Sequence, residues 1–226
     1  MLTVTALLAA SRPPFVAPLD KQGEADRCKQ SFARGMPSDH FALLNAYDAW
    51  EAAGRQGGPG ASYAFARRNF LSDGALRTAR EVRVQYVALL ADTGLIATRR
   101  SPGRASSVDG AAGPSRHADS WPVVRACLLA GLYPSVLRVE PAGGGGGKGK
   151  GRGRPLRLFA REHGWVKVHP ASVLASRAVT PAHRWLVYAE MVRTATGYAT
   201  PLDRVHVPSL APSTPTVARR SPHIPT

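Results

Sequence analysis

Apolar and polar positions recur along this chain with two different periods, helical in the first half and alternating in the second. In SDHFALLNAYDAWEAA, residues 38–53, Phe41, Leu44, Tyr47 and Trp50 fall at helical spacing. Ser38 stands where an N-cap oxygen is needed, and Asp39 complements the helix dipole in the first turn. The glycine-rich stretch 54–60 ends that helix. A short helix follows, with Ser62 expected as its cap and Phe65 facing inward. Asn69, Phe70 and Leu71 make a break. Ser72 then caps a longer helix whose apolar stripe is Leu76, Ala79, Val82, Tyr86, Val87 and Leu90, stopped by Asp92, Thr93 and Gly94. Ser120 is expected to cap WPVVRACLLAG, with Pro122 in the first turn and Gly131 as the stop. The opening MLTVTALLAASRPPFV has no charge ahead of its apolar run and reads as a core helix rather than a targeting segment.

Beyond residue 135 the period shortens. Val136–Val139, Leu156–Phe159, Trp165–Val168 and Trp185–Arg193 read as short strands, with turn signals such as His163-Gly164 between them. Short strands after a helical block predict an α+β chain ending in a small barrel. Two low-complexity insertions interrupt it, at about 98–119 and at PAGGGGGKGKGRGRP, residues 141–155. From Pro208 the chain is rich in Pro, Ser and Thr, and a disordered tail over 208–226 is expected. Trp50, Phe70, Trp165, Trp185 and Tyr188 sit on apolar faces and are read as core.

Charge changes this picture. The 226 residues carry a formal net charge of +15. Residues 1–119 hold 15 basic and 11 acidic side chains, a net of +4, and residues 120–226 hold 15 and 4, a net of +11. A surface this basic favours polyanions, because each neutralised phosphate releases condensed counterions. Other classes drop out. No apolar run approaches the roughly 18 residues of a membrane span. Cys28 and Cys127 have no partner spacing, which excludes a disulfide scaffold and a structural zinc site. Gly143–Gly147 precede Lys148, but Gly149 occupies the place of the magnesium-binding hydroxyl of a phosphate loop. The barrel half has only Glu140, Glu162, Glu190 and Asp203 as acids, and nothing assembles a nucleophile, a base and an oxyanion hole.

Seven stretches, taken in order, carry a resemblance: SRPPFVAPLDKQGEADRCKQSFA (11–33), residues 38–53, FARRNFLS (65–72), ALRTAREVRVQYVALLADTG (75–94), VVRACLLAGLYPSVLRVE (123–140), VKVHPASVLA (166–175) and WLVYAEMVRTATGY (185–198). Their order and spacing resemble the C-terminal region of DEAH-box RNA helicases, the RNA-helicase-A-like group in particular, over residues 1 to about 207. The resemblance implies a helical ratchet-like domain over 1–119, an OB-fold over 120–207, and ATP and magnesium held by motor domains outside the matched stretches. It implies no cofactor in this chain, single-stranded RNA as partner, a helicase-activating protein as a further partner of the OB-fold, and no membrane. It also implies a chain that starts inside the ratchet domain and ends inside the OB-fold; an intracellular setting is expected, and the sequence does not choose between nucleus and cytoplasm. Two other readings stand beside it: a protein-docking module that uses the Trp185–Arg193 strand as an edge, and a helicase fragment without a function of its own.

The resemblance also marks residues. HPASVL matches a family segment that touches single-stranded RNA: His169 offers donors and a stacking face, Ser172 a hydroxyl for phosphate, and Lys167 a charge on the same strand face. His169 equally suits a structural cap on the barrel. Arg138, at the end of the first barrel strand, suits either phosphate or solvent. Arg80 and Arg83, with Arg77, form a loose basic stripe on a ratchet helix that in the resembling helicases lines the RNA channel. Asn45 and Gln85 suit RNA contact or backbone satisfaction. Lys148 and Lys150 in the basic loop suit sequence-independent phosphate attraction.

Overall fold

The computed structural model describes residues 1–36, 38–96, 115–141, 156–175, 184–192, 204–205 and 209–210. The helices are α1 (Leu2–Leu8), α2 (Gln22–Phe32), α3 (Asp39–Gln56), α4 (Ala61–Arg68), α5 (Asp73–Asp92) and α6 (Trp121–Leu132). The strands are β1 (Val136–Pro141), β2 (Leu156–Ala160), β3 (Gly164–Val168), β4 (Trp185–Val187), β5 (Met191–Val192), β6 (Arg204–Val205) and β7 (Ser209–Leu210). They form one sheet in the order β5-β6-β3-β2-β1-β4-β7. The β3–β6 pair is parallel and the remaining pairs are antiparallel.

The helix caps follow from side-chain chemistry. The Ser38 hydroxyl accepts from the Phe41 amide at 3.2 Å, and the Ser72 hydroxyl accepts from the Ala75 amide at 3.3 Å. Each satisfies an amide that the first helical turn leaves without a partner. Ser62 does not cap α4: the N-cap is Gly60, at φ +80. A left-handed residue lets the chain turn sharply from α3 into α4, and glycine takes that conformation without a Cβ clash. Gly131 does not stop α6, which runs one residue further to Leu132.

Trp185–Arg193 is not one strand. Val187 ends β4, the Tyr188 amide still follows the β1 register by donating to the Ser135 carbonyl at 3.0 Å, and beyond it Met191–Val192 pairs with β6. The expected tail also contributes: Ser209 and Leu210 pair with the edge of β4, whose backbone groups otherwise lack a ladder partner. The remaining residues of the 98–119 insertion, the 141–155 loop and the tail lie almost entirely outside the described residues.

The helical core gathers Leu7, Tyr47, Trp50, Leu71 and Leu76. The sheet core gathers Leu137, Leu158, Val166, Leu174 and Leu186. Among the described residues two apolar clusters bridge the halves. Val124 and Leu128 of α6 pack on Val4 of α1 and against Leu44 of α3. Val173, beyond β3, packs with Ala33 and Ala42. The expected boundary at residue 119/120 leaves α6 on the barrel side, yet α6 packs on α1 and α3 as well as against β4.

The sheet is two-faced. Leu137→Ala, at a fully buried position, is expected to lower stability by about 2–5 kcal/mol in urea unfolding. Trp185→Ala, on the opposite face of the same sheet, is expected to cost about 1 kcal/mol or less.

Candidate nucleic-acid interface

β3 delivers the HPASVL segment to the seam between sheet and helices. Pro170 occupies the second position of a turn closed by the Ser172 amide on the His169 carbonyl at 2.9 Å. His169 Nδ1 accepts from the Ala171 amide at 3.0 Å, so the imidazole caps the turn. The Ser172 hydroxyl, expected to meet phosphate, instead donates to Asp39 Oδ2 at 2.5 Å and accepts from the Leu174 amide at 3.2 Å. Asp39 Oδ1 accepts from the Val173 amide at 3.1 Å. Lys29 Nζ meets Asp39 Oδ1 at 2.6 Å and donates to the Ala171 carbonyl at 2.6 Å. Asp39 and Lys29 are both buried, with side-chain exposures of 4% and 10%. A buried ion pair is tolerated when further hydrogen bonds satisfy both charges, as they do at this seam.

Beside the seam lies a cavity of about 440 Å3, lined among others by Phe15, Lys29, Asp39, His40, His169 and Glu190. Lys29 is already committed to Asp39, and Asp26 and Glu190 add negative charge to the rim. The seam is built to hold the loop, and its charge does not suit a phosphate.

The other marked residues lie elsewhere. Lys167 is exposed on β3. Arg138, also exposed, meets Glu140 at 2.5 Å and lies over the Phe159 ring at 5.5 Å. Arg77, Arg80 and Arg83 spread over about 120° of the α5 surface, because each step of three residues falls about 60° short of a full helical turn. Arg77 pairs with Asp73 at 2.6 Å, and Arg80 lies over Trp50 at 5.3 Å. Arg83 is half-buried, and its charge acts on Tyr47. Burial and then Glu51 push the Tyr47 phenol up to about 12, with Arg83 pulling the other way. Asn45 satisfies backbone, donating to the Phe32 carbonyl at 2.7 Å. Lys148 and Lys150 lie outside the described residues.

Two of the aromatics read as core are on the surface. Trp165 is 39% exposed and Trp185 is 48% exposed. Trp50 is buried as expected, at 1%. Alternation along β3 turns Val166 inward, which sends Trp165 outward with Lys167. The Arg157 guanidinium lies 4.2 Å from the Trp165 ring centre. Among the described residues no helix is long and apolar enough to cross a membrane, and no group of His, Cys, Asp and Glu is placed to hold a metal ion.

Residues 124–216 match the family model of the oligonucleotide/oligosaccharide-binding (OB) fold. The match begins inside α6 and extends past β7. The chain is 35% identical over 197 residues to DExH-box ATP-dependent RNA helicase DExH1 of Arabidopsis thaliana, covering 87% of this chain and 17% of that protein. It is 29% identical over 203 residues to ATP-dependent DNA/RNA helicase DHX36 of Homo sapiens, covering 88% and 18%. It is 28% identical over 194 residues to ATP-dependent RNA helicase DHX29 of Homo sapiens, covering 85% and 13%. The chain thus spans less than a fifth of the length of these curated relatives.

The seam makes a graded prediction. Asp39→Ala leaves Lys29 buried without its counter-charge and is expected to cost about 3–5 kcal/mol. Ser172→Ala removes one hydroxyl and is expected to cost about 1–3 kcal/mol. Denaturant unfolding of both variants checks the order, and equal costs would remove the ion pair from its central place.

Proposed function

We propose, on the premise that this chain carries the OB-fold region found at the C-terminal end of DEAH-box-type RNA helicases, that it is a module that grips single-stranded RNA. The helical block and the sheet form one support through the seam at Asp39. The gripping surface is cationic. ATP hydrolysis belongs, in this reading, to motor domains of the parent protein, which draw the strand past the module.

One observation carries the reading: the cationic excess lies in the OB half. Residues 120–226 hold 15 basic and 4 acidic side chains. Arg138, Arg157, Arg161 and Lys167 are exposed on the described part of the sheet and its turn. The sequence between β1 and β2 adds Lys148, Lys150, Arg152 and Arg154. Such an array attracts a polyphosphate backbone without reading its sequence.

The test is binding of a labelled single-stranded RNA across a salt series. The logarithm of the affinity is expected to fall linearly with the logarithm of salt, by about 0.7 for each phosphate neutralised. Lys167→Ala is expected to reduce that slope by about 0.7. A flat salt response, or no binding at low salt, would overturn the reading.

A further inference from the structure

We propose that the outward face of the sheet is a base-stacking platform for a single strand of RNA, built on one row of side chains that crosses four strands. The register defines the row. Trp185 of β4 lies opposite Arg138 of β1, Arg138 lies opposite Phe159 of β2, and Phe159 lies opposite Trp165 of β3. Directly opposed residues share a face of a sheet, so the four side chains stand in line. Strand spacing of about 4.8 Å places the two tryptophans about 14 Å apart.

The same register puts Leu137, Leu158, Val166 and Leu186 on the other face, where they form the sheet core. That core contains neither tryptophan. Two large aromatic side chains are therefore partly open to solvent at positions where a folding requirement alone calls for polar residues. Their neighbours specify what covers them. The Arg157 guanidinium lies over Trp165 at 4.2 Å and that of Arg138 over Phe159 at 5.5 Å. Phe159 meets Trp165 edge to face, with ring centres 5.3 Å apart. Lys167 follows on the same side of β3. Against these three cations the row has one acid, Glu140, which pairs with Arg138.

Aromatic rings interleaved with weakly hydrated guanidinium groups match a ligand whose planar bases alternate with phosphates. An apolar protein surface has no use for three cations between the rings. A double helix presents its bases edge-on in its grooves, so its planar faces cannot lie on this row. A single strand meets both requirements.

This inference rests on the RNA-binding reading above and names the surface that performs it. Its test uses the full chain and an RNA of about 12 nucleotides, within the roughly 4–16 that one OB-fold covers. Of the four tryptophans Trp50 is buried and Trp121 is half-buried against Phe41, so loss of quenching in Trp165→Ala and Trp185→Ala identifies the part that comes from the exposed pair. Quenching is expected. Trp165→Ala and Trp185→Ala are each expected to weaken binding by about fivefold to a hundredfold with the salt slope unchanged. Trp165→Phe and Trp185→Phe are expected to recover most of that affinity, because they keep a stacking face. Salt-dependent binding of the wild type that is unaffected by either alanine substitution would overturn the platform and leave the RNA reading standing, with a protein surface as the remaining occupant of the face. No binding by the wild type at low salt would remove both. Far-UV circular dichroism of the variants separates a lost contact from a lost fold.

Discussion

The carboxylate of Asp39 is where this structure is joined. It begins α3, in the turn where the helix dipole favours negative charge. From there it holds Lys29 of α2, the Ser172 hydroxyl and the Val173 amide. Two helices and the loop leaving β3 thus converge on one buried side chain. Desolvating Asp39 and Lys29 is costly, and the ion pair with its additional hydrogen bonds offsets that cost. Val173 then packs between Ala33 and Ala42, which turns a polar latch into a shape-matched contact. The path of the chain out of β3 is set here, and with it the turn that His169 caps.

Holding the loop in this way divides labour along β3. Its final residues and the following turn attach the sheet to the helices. Its middle, at Trp165 and Lys167, faces away from the core. The seam has an ion pair already closed and acidic neighbours, so added anions gain little there. The outer face has the opposite balance, with cations in excess and rings exposed. Attachment and the exposed cationic face therefore occupy different parts of this segment, the turn beyond β3 and the outer side of the strand, and a change at one need not disturb the other.

Much of the fold was legible from local chemistry. Helical spacing located α3 and α5, and Ser38 and Ser72 marked their starts, because a cap is settled within four residues of itself. Gly60 was missed in favour of Ser62, since which residue takes the left-handed turn depends on how α4 meets α3. Trp185–Arg193 reads as continuous because no glycine or proline interrupts it, and only the pairing choices of β1 and β6 divide it. The site was less legible. The resemblance marks Ser172 for phosphate, and its partner Asp39 is not legible locally because it lies 133 residues away in the chain. Strand spacing puts Trp165 and Trp185 in apolar runs and so reads them as core, whereas their facing is decided by cross-strand register.

By itself the amino-acid sequence determined the change of period from helix to strand, the two main helix starts, and the concentration of positive charge in the second half. These depend on neighbours a few residues apart or on composition, which need no fold to exist. The tertiary structure alone decided that Asp39 and Ser172 meet, that α6 packs on α1 and α3 and against β4, and that Trp185, Arg138, Phe159 and Trp165 stand in one row. Each of those facts is a choice between distant segments. A shift of one residue in strand pairing would turn the same side chains to the opposite face, so no local pattern could have announced them.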